Sequence, residues 1–124
     1  MFYKAKYIIL EDEVLKDYFM EVEDGVIKSF SKNEPEKYED LGEIIAPGLV
    51  DTHIHGYHGE DIMNAKPGAL NIISKGLLET GVTSFLPTTL TDSTDRLNEA
   101  CRVIGEEYKE AEGAKIRGVF LEGP

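Results

Sequence analysis

Basic charge is what this sequence has least of: 13 Lys and Arg against 24 Asp and Glu, a formal net charge of −11. Such a surface repels phosphodiester backbones and anionic lipid, and no Lys/Arg cluster breaks the trend, so neither nucleic acid nor a membrane is an expected partner. Long apolar runs are missing too; none approaches the roughly 20 residues that span a bilayer. The start, MFYKAKYIIL, has no basic segment followed by a long apolar stretch and a small-residue cleavage site, so no export signal is expected. The one cysteine, Cys101, excludes an internal disulfide and fits a reducing cytoplasm. Tandem repeats and low-complexity tracts are absent.

What remains is a globular composition, 41% hydrophobic and 30% charged, in a chain of 124 residues. The first thirty residues read as β structure. Runs at 3–10, 17–22 and 26–30 are β-branched and aromatic, and Asp24-Gly25 between the last two is a hairpin signal. Residues 31–42 are polar and read as a loop. From residue 44 the rhythm changes. Ile44, Ile45, Ala46, Leu49 and Val50 form one apolar run toward His53, and Leu70, Ile73, Leu77 and Leu78 recur at helical spacing until Gly81. A strand follows at 82–86. Thr91 or Asp92 is placed to cap a second helix with Leu97, Ala100, Cys101, Ile104 and Tyr108 on its apolar face, ending near Gly113. Residues 116–121 read as a third strand. The order β, α, β, α, β implies parallel strands joined by right-handed crossovers, either in an open doubly wound sheet or in a (β/α)8 TIM barrel. A barrel takes about 250 residues, so residues 44–124 would supply two to three of its units, and the sequence reads as the front part of a longer polypeptide.

Two of only three histidines sit in PGLVDTHIHG, residues 47–56. Strand side chains alternate faces, so His53 and His55 share one, at the C-terminal end where parallel sheets build their sites. Neutral imidazoles side by side suit zinc or iron; they would equally serve as two strand-end rings bonded to carbonyls. Glu122 closes the third strand, and a carboxylate there either meets a cation at the same rim or stays solvated. Asp51 shares the face of His53 and reads as a strand-end acid. His58, in the glycine-rich stretch after His55, is a weak candidate for substrate contact. Glu60 and Asp61 read as solvated loop, Thr88, Thr89 and Thr91 as capping residues, and Cys101 as core. No framed serine nucleophile or placeable carboxylate pair competes, which leaves metal-assisted hydrolysis as the chemistry to weigh.

The stretch Pro47 to His55 resembles the metal motif on the first strand of the amidohydrolase superfamily. GVTSFLPT at 81–88 and GVFLEGP at 118–124 are similar to one family within it, the N-acetylglucosamine-6-phosphate deacetylases. That resemblance implies a (β/α)8 barrel, with a small β-sandwich to which residues 1–43 contribute. It implies hydrolysis of the acetamido group of N-acetylglucosamine 6-phosphate by a homodimer holding one or two divalent ions, zinc or iron. His53, His55 and Glu122 carry over as metal ligands, while the general base, the remaining ligands and the phosphate-binding groups are expected beyond residue 124. Two other readings stay open: a different amidohydrolase, such as a cyclic-amide hydrolase or a deaminase, and a metal-binding fragment without catalysis.

Overall fold

The structure, a computed structural model, describes residues 1–123; Pro124, the last residue of the GVFLEGP stretch, lies outside them. The chain divides into two compact units, Met1–Pro47 and Gly48–Pro124.

In the first unit β1 (Phe2–Ile9), β2 (Val14–Glu23) and β3 (Val26–Ser31) form an antiparallel meander. The turn between β2 and β3 is made by Asp24 and Gly25, both at positive φ (51° and 72°), the geometry a two-residue hairpin of right-twisted strands requires. Along the other edge of β1 run two short parallel segments, β4 (Glu39–Asp40) and β5 (Ile44–Ile45). Ala5, Ile8, Leu15 and Met20 form the core of this unit, with Tyr3, Val22 and Ile45 packed around them. Two sequence expectations are corrected here. Residues 31–42 are not all loop, since β4 lies within them. Ile44 and Ile45 do not lead into the histidine strand; they pair with β1, and the division between units falls at Pro47, four residues later than the sequence placed it.

The second unit is built on three parallel strand lines. β6 (Leu49–Ile54) pairs with one edge of β9 (Val82–Thr89), and β10 (Lys115–Ile116) and β11 (Phe120–Leu121) pair with it in the same direction. Between β6 and β9 come a hairpin of β7 (Gly56–Tyr57) and β8 (Glu60–Asp61), a single 3-10 turn (Ile62–Asn64) and α1 (Ala69–Leu78); α2 (Thr94–Glu107) joins β9 to β10. α1 buries Leu70, Ile73 and Leu77, as the spacing predicts, against Val82 and Phe85 of β9. α2 buries Ala100, Val103 and Ile104. Each of the Leu, Ile, Val and Phe side chains taken out of water is worth about 1.5–3 kcal/mol.

Several local expectations shift. The cap of α2 is Ser93, whose hydroxyl accepts from the N–H of Arg96, and the helix stops at Glu107 rather than near Gly113. Val103 belongs to the core, whereas Tyr108 is exposed and Cys101 only half-buried. The third strand is interrupted: β10 and β11 are separate, and the gap lies opposite Leu86 and Pro87 of β9. Pro87 has no N–H to give a neighbouring ladder, which accounts for the break.

Gly48 explains the glycine of the Pro-Gly-Leu-Val-Asp stretch. A Cβ there would lie 2.0 Å from Oγ1 of Thr83, so β6 can enter beside β9 only with glycine at that point.

Candidate metal centre

β6 and β11 flank β9, and their C-terminal ends stand at the same rim. There His53, on β6, His55, one residue past its end, and Glu122, one residue past β11, converge so that one ligand atom from each lies within 4.8 Å of the others. Nε2 of His53 and Nε2 of His55 are each 2.9 Å from the same carboxylate oxygen, Oε2 of Glu122, and 3.2 Å from one another. All three side chains are between one third and one half exposed.

The rings are held from behind. Nδ1 of His55 lies 3.1 Å from the carbonyl oxygen of Thr88. A carbonyl only accepts, so this nitrogen carries the proton, and Nε2 of a neutral His55 presents a lone pair to the cluster. That nitrogen faces Oε2 of Glu122 at hydrogen-bond distance. Two imidazole nitrogens with one carboxylate oxygen are a donor set that suits zinc or iron. The ring of His53 is steadied differently, by packing on Phe120 with centroids 5.1 Å apart.

The other sequence candidates lie elsewhere. Asp51 accepts the backbone N–H of His53 at 3.0 Å, which fixes the strand end and leaves both rings untouched. His58 sits at the tip of the β7–β8 hairpin at positive φ, with its ring against Gly76 of α1 and Nε2 3.5 Å from Glu79, outside the cluster. Glu60 and Asp61 are half-buried rather than solvated. Glu60 pairs with Lys66 at 2.6 Å, and Asp61 caps the 3-10 turn through the N–H of Met63 at 2.7 Å. Thr91 donates to the backbone carbonyl of Glu122 at 3.2 Å instead of capping α2. Thr88, read from sequence as a cap, holds the second histidine. Nothing in the string Thr88-Thr89-Leu90-Thr91 distinguishes it; only the pairing of β6 with β9 does.

No protein-family model matches the sequence. Individual relatives do. The chain is 38% identical to an N-acetylglucosamine-6-phosphate deacetylase of Bacillus subtilis (strain 168), over 94% of its own length and 32% of the relative's. It is 31% identical to an N-acetylgalactosamine-6-phosphate deacetylase of Escherichia coli O157:H7, over 98% of itself and 32% of that protein. Among solved structures, N-acetylglucosamine-6-phosphate deacetylase from Thermotoga maritima superposes with a TM-score of 0.81 at 32% identity, covering 100% of this chain and 32% of that one. The chain thus spans about a third of the length of the relatives it matches.

Proposed function

From the chain's place in the family of N-acetylglucosamine-6-phosphate deacetylases, to which it belongs, we propose that it carries part of the active site of an enzyme that hydrolyses the acetamido group of N-acetylglucosamine 6-phosphate, releasing acetate and glucosamine 6-phosphate. The observation that carries this reading is the triangle of His53 Nε2, His55 Nε2 and Glu122 Oε2. These three residues would hold one or two divalent ions, zinc or iron. When bound, such an ion lowers the pKa of water and polarises an amide carbonyl. His55 contributes Nε2, with Nδ1 turned to the carbonyl of Thr88, and Glu122 contributes charge that offsets the cation. The chain spans about a third of its relatives' length, and the general base, the further ligands and the groups for the 6-phosphate are expected in the part of the family it does not span.

In this reading β6, β9 and the β10–β11 line are the first three strands of a (β/α)8 barrel, and the Met1–Pro47 unit is part of the β-sandwich. The exposure of Leu49, Val50 and Leu121 on the two outer strand lines (62%, 63% and 55%) supports it, because such side chains are ordinarily covered. The whole enzyme would work in the cytoplasm as a homodimer. No helix among the described residues is long and apolar enough to cross a membrane.

The likeness to the N-acetylgalactosamine-6-phosphate deacetylase makes the epimer the second substrate to examine. Full-length protein loaded with zinc or iron, offered both 6-phosphorylated N-acetyl sugars and a cyclic amide, is expected to release acetate from the gluco sugar fastest. Turnover of the cyclic amide alone would overturn the assignment, and sedimentation of the same sample reports the dimer.

A further inference from the structure

We propose that Thr88 is a positioning residue for the histidine pair, gripping the His53-Ile54-His55 segment at two points. Its hydroxyl accepts from the N–H of Ile54 at 3.0 Å and donates to the carbonyl of Leu86 at 3.0 Å. Its own carbonyl accepts from Nδ1 of His55 at 3.1 Å. One residue with no exposed surface therefore fixes the backbone between the two histidines and the ring of the second.

The need for such a grip follows from the sheet. Pairing of β6 with β9 slips between Asp51 and Ile54, just where the histidines begin. A ladder that loses its regular register leaves strand-end groups to be held by side chains. Thr88 suits that task. Its branched Cβ stiffens χ1, and burial strengthens each hydrogen bond it makes. The bond to Nδ1 decides which nitrogen of His55 bears the proton, and so directs Nε2 toward Glu122. The consequence for metal affinity rests on the deacetylase reading above; the consequence for the ring tautomer does not.

Thr88→Val keeps the shape but removes the hydroxyl and leaves the Ile54 N–H short of a partner, whereas Thr88→Ser keeps the hydroxyl. Two measurements on the full-length protein test the proposal. The first is nitrogen-15 NMR of the histidine rings in metal-free protein at about pH 8, where imidazole is neutral. His55 is expected as the Nδ1–H tautomer in the parent and in Thr88→Ser, and as a mixture in Thr88→Val, where the backbone carbonyl of residue 88 remains but loss of the hydroxyl frees the Ile54 N–H and lets the neighbouring His55 ring drift from that carbonyl. The second is zinc affinity by chelator competition, expected to fall about 10–100-fold in Thr88→Val, the range for partners of ligand rings, and to hold in Thr88→Ser. An Nε2–H tautomer in the parent overturns the proposal without any variant, even if Thr88→Val does not fold. Parent-like tautomer and affinity in Thr88→Val, or equal loss in Thr88→Ser, also overturns it. A tautomer change in Thr88→Val with no zinc bound by the parent leaves Thr88 in its role and removes the metal reading instead.

Discussion

The imidazole of His53 and the carboxylate of Glu122, 69 residues apart in sequence, meet at 2.9 Å. The contact joins the ends of two strand lines that do not pair with each other, because β9 lies between them. If it is half of a metal site, removing either partner must cost more than removing a residue behind the ligands. His53→Ala and Glu122→Ala are each expected to lower zinc affinity of the full-length protein by more than about 100-fold, above the range shown by partners of ligand rings. Elemental analysis after dialysis checks this, and undiminished metal in both variants would remove the site.

Gly48 and Thr83 supply a prediction about stability. A Cβ on residue 48 would meet the Oγ1, Cγ2 and Cβ atoms of Thr83 at 2.0, 2.2 and 2.6 Å, so the whole side chain must move. Gly48→Ala should destabilise by about 1–3 kcal/mol, the usual cost of overpacking. Adding Thr83→Ala removes two of the three atoms and should recover part of the loss in urea titrations.

Thr89 offers a contrast with its neighbour. Its hydroxyl is fully buried and has no hydrogen-bond partner among the described residues. Thr89→Val, nearly isosteric, discards an unsatisfied polar atom and should raise stability by about 1 kcal/mol. A fall in urea midpoint would reveal a hidden partner.

Acid should loosen the link between α1 and the segment after α2. Lys75 donates to Glu112, and Asn71 accepts the Glu112 N–H at 3.0 Å. The Lys75 hydrogen bond, then that from Asn71, then the Lys75 charge hold the Glu112 carboxyl below its ordinary value. A carboxyl depressed on folding stabilises above its unfolded pKa, and that contribution is lost as pH falls through the folded value. The difference in Tm between parent and Glu112→Gln should therefore be present at neutral pH, shrink with added salt because the pair is exposed, begin to fall as pH drops past the ordinary Glu value of about 4.3, and close only below the depressed folded value.

Much of this chain was legible before any coordinates. Leu70, Ile73 and Leu77 announce α1 by their spacing, and Asp24-Gly25 announces its hairpin, because both signals depend on neighbours within a few residues. The two-residue step from His53 to His55 is of the same local kind. What sequence could not supply depends on which strand lies beside which. The pairing of Ile44 and Ile45 with β1, the break opposite Pro87 and the hold of Thr88 on His55 are all properties of register. Local preferences set the elements, but hydrogen bonds between distant strands set their alignment, and only that alignment turns two histidines and a distant glutamate into one site.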